Sequence, residues 1–389
     1  MSEWEIVKLG EICDVRDGTH ASPKETNTGR LLVTSKNLLG GLLSLDNAHY
    51  ISSSDAAEID KRSKVDQWDV LFSMIGTVGE VAIIREAPDF VIKNVGLFKT
   101  QGNESLANWI YYFFRSRNGR NEIRARLKGT SQQYISLGEL RNFPIPCPPL
   151  ATQRRITSVL SNYDSAIANC RRQIALLEEA AMRLYKEWFR DGKGENKTLG
   201  DLIVEIESGS RPRGGAVKSG IPSIGAEKID GIGNYDYTGE KFVSREYFDR
   251  MKRGKIQDED ILLYKDGAYC GKVSMVLDGF PHKEAATNEH VFILRTDRHS
   301  AFLYCFLRQR KSFELLNKLA CNKAAQPGLN QQDVLGVKIA IPPQDDMGSF
   351  ENKVMPIMHT IAFLANQIRA LTEARDRLLP KLMKGEIAV

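Results

Sequence analysis

The sequence predicts an α+β protein. Two duplicated mixed α/β domains are separated by two long antiparallel coiled-coil helices, with pseudo-twofold symmetry. Three observations predict it. The first is a seam of apolar or small residues at Leu160, Tyr163, Ile167, Cys170, Ile174, Leu177, Ala181, Leu184 and Trp188. Its gaps alternate three and four, the a/d spacing of a helix that packs along one stripe. The second is the recurrence of that seam 194 residues later, at Val354, Ile357, Ile361, Leu364, Ile368, Leu371, Arg375, Leu378 and Leu382. Arg375 is the one charged member. The third is identity: nine of the eighteen residues of Ile167–Leu184 recur in Ile361–Leu378. Two stripes in register half a chain apart indicate a duplication. A lone helix cannot bury its own seam, so the two helices should pack on each other.

Residues 1–146 read as the first mixed domain. Val7–Ile12, Leu31–Thr34, Val70–Met74 and Glu80–Ile84 have the composition of short strands, and Gly76-Thr77-Val78-Gly79 is a tight turn. Asn108–Arg115 is aromatic and should form a helix packed on the sheet. Arg124–Tyr134 reads as a basic, polar loop. Phe143–Pro149 is rich in proline and predicts a stiff extended connection. Nothing between Ala151 and Phe189 is Gly or Pro, so the first long helix occupies a helical region over 147–190. Residues 191–197 form a polar linker, too short to carry the next domain far. Residues 198–341 repeat the plan, and 342–389 supply the second helix. Leu199–Leu202 mirrors Leu9–Ile12, Asp260–Leu263 mirrors Asp69–Phe72, and Ile339–Pro343 mirrors Ile145–Pro149. The loops between these landmarks differ widely, which suits two readers of different targets on one frame.

The net charge of +5 fits a polyanionic partner without demanding one. The six cysteines are scattered, form no C-x-x-C, and read as reduced, buried thiols of a cytosolic protein. The histidines do not cluster with them as a zinc site would require. No apolar run approaches the length of a membrane span. No phosphate-cradling G-x-x-x-x-G-K-[ST] occurs, nor a G-x-S-x-G or H-E-x-x-H motif. The Pro-Pro pairs lack the flanking amide and aromatic of an amino-methyltransferase. Glu351-Asn352-Lys353 has the letters of a nuclease strand but falls in the second helix. His20, in Asp17-Gly18-Thr19-His20, reads as a turn residue. A fused methyltransferase or nuclease is therefore disfavoured. The diverged basic loops argue against a coiled-coil scaffold with no nucleic-acid role.

A binding protein remains. In the first half the candidate DNA contacts are Thr34, Ser35, Lys36 and Asn37, with Lys128, Thr130, Gln132 and Gln133. In the second half they are Ser210, Arg211, Arg213, Lys265, Lys272, Lys323 and Gln326. Arg and Lys pair with phosphates or guanine, and Asn and Gln can read adenine.

The whole chain resembles the DNA-specificity subunits of type I restriction–modification systems. Pro148-Pro149-Leu150-Ala151-Thr152-Gln153-Arg154-Arg155-Ile156 is similar to the start of the family's first helical region, with Thr152 where Glu is usual. Leu378–Ile387 resembles its C-terminal signature, and Asp17–His20 a motif near the start of its recognition domains. Pro342-Pro343-Gln344-Asp345-Asp346-Met347 departs from the pattern. The resemblance implies two target-recognition domains reading a bipartite, asymmetric DNA target. It implies no catalysis by this chain. The partners would be double-stranded DNA, two adenine-methylating modification subunits and restriction subunits, in the cytoplasm. S-adenosylmethionine, ATP and Mg²⁺ would belong to those subunits.

Overall fold

The computed structural model describes residues 4–190, 194–321 and 327–387. The chain forms two compact units. One comprises Met1–Ser165 with Thr372–Val389, and the other Ala166–Leu371. Each unit therefore holds one globular part and a portion of each long helix.

In the first unit the chain runs β1 (Glu5–Lys8), α1 (Leu9–Ile12), β2 (Asp14–Asp17), β3 (Glu25–Thr26) and β4 (Arg30–Val33). A hairpin of β5 (Leu38–Leu39) and β6 (Leu42–Leu43) leads to β7 (His49–Ile51) and α2 (Ser53–Ser63). Then come β8 (Val70–Ser73), β9 (Val81–Ile83), β10 (Phe90–Ile92) and β11 (Val95–Lys99). Helices α3 (Glu104–Arg115), α4 (Arg117–Ala125) and α5 (Leu137–Arg141) precede β12 (Pro144–Cys147) and the long helix α6 (Leu150–Trp188). Side-chain oxygens start the shorter helices. Ser52, Asn103, Ser116 and Ser136 each accept an N–H from the first turn of α2, α3, α4 and α5.

Two sheets, in the orders β2-β11-β8-β9 and β10-β4-β7-β3, carry the globular part. Helix α3 lies on the first, because its apolar residues leave no polar face: Trp109, Tyr112 and Phe114 are fully buried. Phe114 meets Phe72 and Phe98 at ring distances of 5.1 and 5.5 Å. Leu160 of α6 and Leu379 and Leu382 near the C-terminus complete this core.

The sequence expectations need three adjustments here. Leu9–Ile12 is helical, not a continuation of the strand. The proline-rich connection is a strand, since Pro144–Cys147 pairs antiparallel with β1. Its two prolines are tolerated because the ribbon has only two strands. Arg124 lies on α4, not in a loop. The helix is easily missed because only Gly119 and Ile123 are buried in it.

The second unit repeats the plan. β13 (Glu195–Thr198) takes three residues that the sequence placed in the linker, and leads to β14 (Ile203–Ser208), β15 (Ile221–Ile224) and β16 (Phe242–Val243). α7 (Arg245–Arg250), β17 (Ile261–Tyr264), β18 (Val273–Met275), β19 (Ala286–Thr287) and β20 (Val291–Thr296) follow. The chain closes with α8 (Ser300–Leu307), α9 (Arg310–Cys321), α10 (Gln331–Leu335), β21 (Lys338–Ile341) and α11 (Gln344–Leu382). The sheet β14-β20-β17-β18 corresponds to β2-β11-β8-β9, and the ribbon β13-β21 to β1-β12. In both units a central strand, β4 or β15, pairs antiparallel with one neighbour and parallel with the other.

Helices α6 and α11 are each 39 residues long and start 194 residues apart, the offset of the two seams. They pack together antiparallel. In the second unit Cys170 donates its S–H to Gln367 at 3.4 Å, and Trp188 meets Phe350 at 5.9 Å between rings. In the first, Asp164 pairs with Arg375 at 2.6 Å, which accounts for the charged member of the seam. Leu160, Ile167, Cys170, Ile174, Val354, Ile361 and Leu364 are buried. Tyr163, Leu177, Leu184, Ile357, Ile368, Leu371 and Leu378 are half-buried, and Trp188 is more open. Four cysteines are buried thiols, whereas Cys147 is half-buried and Cys321 exposed, contrary to the uniform burial expected. Cys321 ends α9 at the surface.

Candidate nucleic-acid interface

Strand register brings the candidate loops of the first unit to one end of its main sheet. Asp17 of β2 pairs with Gly96, and Ser73 of β8 with Val95. The chain therefore leaves β2 at Gly18, enters β11 from Asn94 and leaves β8 at Met74, all at the same end. Gly18 allows this closeness, because a Cβ there would collide with the Ile92 carbonyl oxygen. The Thr19 N–H donates to Ile92 and the Asn94 N–H to Thr19, each at 3.1 Å.

The His20 ring bridges Asn94 Oδ1 at 2.7 Å and Asp17 Oδ2 at 3.0 Å, and Arg62 pairs with the other oxygen of Asp17. Ser35 Oγ donates to the Asn94 carbonyl at 3.3 Å, which ties the Thr34–Asn37 turn to this cluster. Lys36 is exposed there. Asn37 is not: it is 4% exposed. Its amide accepts the Thr34 N–H at 2.8 Å and donates to the Ser44 carbonyl at 3.0 Å, so it shapes the turn.

The second group sits on the turn after β8. Lys128 and Tyr134 exchange backbone hydrogen bonds at 2.9 Å, closing the loop between them. The Gly76 N–H donates to Gln133 O at 3.2 Å and the Ile135 N–H to Met74 O at 3.0 Å. Thr130, Gln132 and Gln133 are exposed at its tip. Lys128 donates to Glu139 at 2.9 Å, and this hydrogen bond raises the ammonium pKa.

The second unit uses the same end of its sheet. Ser208 pairs with Phe292, and Tyr264 with Val291, so the segments after β14, before β20 and after β17 meet. Gly209 takes the place of Gly18, for a Cβ there would collide with the Thr287 carbonyl oxygen. Ser210 Oγ lies 2.7 Å from Tyr247 Oη, and Arg211 pairs with Glu289 at 2.8 Å. Arg213 is exposed and forms no ion pair among the described residues. Lys265 sits 4.9 Å from the Phe292 ring centre. Lys272 pairs with Asp230 at 3.0 Å and lies 4.9 Å from the Tyr269 ring centre. Lys323 and Gln326 lie outside the described residues. The chain that follows them is anchored as its counterpart is, with the Gly267 N–H on Pro327 O and the Leu329 N–H on Lys265 O.

Sequence reasoning passed over His20 as a turn residue and did not connect it with Arg211. Both occupy one position: a strand, a glycine, a hydroxyl residue, then a nitrogen-bearing side chain, as Asp17-Gly18-Thr19-His20 and Ser208-Gly209-Ser210-Arg211. That shared pattern after the second strand of each half is a signal that could have found them. Asn94 and Glu289, which approach these two side chains, are distant in sequence and became visible only through strand register.

The chemistry of this surface is that of donors and acceptors. The carboxylates of Asp17, Asp230, Asp266 and Glu289 each face a cationic or imidazole partner. Among the described residues no three His, Cys, Asp or Glu side chains are grouped to hold a metal. Glu351, from the nuclease-like triplet, accepts the Ala301 and Phe302 N–H groups at 3.2 and 2.9 Å and so caps α8.

The family model described as the type I restriction modification DNA specificity domain matches residues 1–179. The type I restriction enzyme MjaIX specificity subunit of Methanocaldococcus jannaschii is 25% identical across 100% of this chain and 94% of its own length. Over its whole length the chain is similar to type I restriction–modification specificity subunits. The HindI specificity subunit of Haemophilus influenzae is 33% identical to this chain over 122 residues, which are 31% of the chain and 26% of that relative. The crystal structure of an S subunit from M. genitalium shares the fold. It has a TM-score of 0.60 and 17% identity, over 97% of this chain and 96% of that one. The matched residues 1–179 take in the first globular part and most of α6. Among the described residues no helix is long and apolar enough to cross a membrane.

Proposed function

We propose that this chain binds double-stranded DNA and reads a bipartite, asymmetric target, one half per unit. The observation that carries this is the repeated convergence of polar loops. In each unit, loops after equivalent strands meet at one end of an equivalent sheet, yet their side chains differ. His20, Lys36, Gln132 and Gln133 stand in one unit and Arg211, Arg213, Lys265 and Lys272 in the other. A shared frame with diverged donors suits two different base sequences.

The chain has no catalysis of its own in this reading. It positions two copies of an adenine-methylating modification subunit on the paired helices, and restriction subunits join the complex. S-adenosylmethionine, ATP and Mg²⁺ belong to those subunits, and the assembly works in the cytoplasm.

The test is to map methylated adenines in cells that express the complete system. The double variant Gln132→Ala/Gln133→Ala should alter or relax one half of the methylated sequence and leave the other as it was. Changes in both halves together would show that the units are not separate readers. A purified chain that binds no duplex at low salt would remove the DNA reading itself.

A further inference from the structure

Helix α4 carries Arg117, Arg120 and Arg124 at spacings of three and four, which places all three guanidinium groups along one stripe. All three are exposed, and none forms an ion pair among the described residues. The stripe lines a cleft of about 570 Å³, which Arg115 and Lys384 also enter. The one carboxylate in its wall, Asp376, is already held by Arg375 at 2.8 Å. The acid on α4, Glu122, pairs with Arg126.

Local stability does not explain this arrangement. Arg117 and Arg120 stand in the first turns of the helix, where the macrodipole favours anions, and that first turn has no acidic residue. Three neighbouring cations without acids also repel one another. The second unit supplies the control. Helix α9 occupies the same place in the repeated frame: Gly271 packs against Leu316 there as Gly79 packs against Ile123 of α4. In α9, however, Arg310 is neutralised by Glu314 at 2.6 Å, and Phe313 and Asn317 fall where Arg120 and Arg124 stand. The frame therefore does not require the arginines.

The cleft also continues the recognition surface. Gly79 belongs to the same turn as Gly76, whose N–H holds the loop bearing Gln133. Planar guanidinium groups in a row, free of carboxylates, match a run of phosphates. We propose that the α4 cleft of the first unit grips the DNA phosphate backbone beyond the half-site which that unit reads. The inference rests on the DNA-binding reading above. It makes the grip one-sided, because α9 offers no equivalent.

The experiment measures duplex affinity of the full chain against salt concentration, using a duplex of arbitrary sequence. The triple variant Arg117→Gln/Arg120→Gln/Arg124→Gln should lower the slope of log affinity against log salt by about 2 to 3, at close to one unit per phosphate contact. The triple lysine variant should keep most of the slope. Arg310→Gln/Lys311→Gln in α9 should leave it unchanged. All substituted residues are exposed, so the melting temperature should hold. A wild-type chain that binds no duplex would overturn the DNA reading and this proposal with it. Wild-type binding with an unchanged slope in the glutamine variant would overturn the cleft assignment and leave DNA binding standing. An unchanged slope with loss of co-purifying modification subunits would assign the cleft to an acidic protein surface instead. An equal loss of slope in the α9 variant would overturn the one-sidedness.

Discussion

The two units solve one docking problem with different side chains. In each, a Tyr and an Arg four residues apart secure the helix after the sheet: Tyr111 and Arg115 on α3, Tyr304 on α8 and Arg308 at its C-terminal end. In the second unit both reach Glu178 of α6, at 3.0 and 2.9 Å. In the first unit Tyr111 donates instead to the Gly41 carbonyl at 3.0 Å, and Arg115 stands 3.7 Å from Asp164. Asp164 is held chiefly by Arg375 at 2.6 Å and Tyr112 at 2.8 Å. The helix starts differ as well. Asn103 caps α3 from the preceding residue, whereas α8 is capped from α11 by Glu351. Duplication has kept the geometry of contact and exchanged the groups that make it. A side chain shared by the two halves is thus not evidence of a shared bond.

The largest expected effect breaks the comparison at a buried charge of the first unit. Arg375 is 9% exposed. Burial lowers its basicity, and the hydrogen bonds to Asp164 and Asp376 more than restore it. Arg375→Ala leaves Asp164 without its closest cation and should cost the first unit about 3 kcal/mol in denaturant unfolding. Glu178→Ala should cost the second unit less, about 1 to 2 kcal/mol, because its partner Arg308 has a side chain 35% exposed. Equal losses would show that the networks are interchangeable.

The next effect separates the two caps by pH. Burial, opposed by the two backbone N–H groups and reinforced by Glu259, raises the Glu351 pKa from 4.5 to about 7. The folded state therefore holds this proton more tightly than the unfolded chain. Its contribution is complete below about pH 4.5 and is lost as pH rises through about 7. The change is roughly 3 kcal/mol at most, at 1.36 kcal/mol per pKa unit. Glu351→Gln should flatten that dependence. Amide hydrogen exchange of Ala301 and Phe302 would report it, while the Asn103 cap should stay insensitive to pH. If the profile of the Glu351→Gln variant ran parallel to that of the wild type, the assignment would be refuted.

The local cap itself is worth less. Asn103→Ala should cost about 1 kcal/mol and act on α3 alone. Smallest of all, Gln132→Ala and Gln133→Ala should leave stability within about 0.5 kcal/mol, since both side chains are exposed. In the proposed reading their effect falls on DNA binding, so a large loss of stability there would mean the loop is structural.

The long helices were legible because a nine-position seam repeats one spacing, and the 194-residue offset appears unchanged in their boundaries. Strands such as Val70–Ser73 were legible because every residue in them is buried and apolar or small. The site was legible only as scattered polar residues. Thr34 and Gln133 are both in the candidate loops, but their placement at one sheet end depends on the pairing of Asp17 with Gly96 and Ser73 with Val95. Such pairings join residues tens of positions apart and leave no local pattern. Helix α4 escaped notice for a related reason: one buried isoleucine gives no periodicity to read.

The division of the long helices between the units bears on the order in which the chain can finish folding. The second unit is one continuous segment, Ala166–Leu371. The first is not: Leu379, Leu382 and Met383 belong to its core, and Gly385 packs against Trp4. During synthesis these residues emerge only after the whole of the second unit. The part of the protein made first is therefore completed last. Until then the core that holds Ile156 and Leu160 of α6 lacks its C-terminal members, and the gap they leave is a surface that a nascent chain must keep from other contacts.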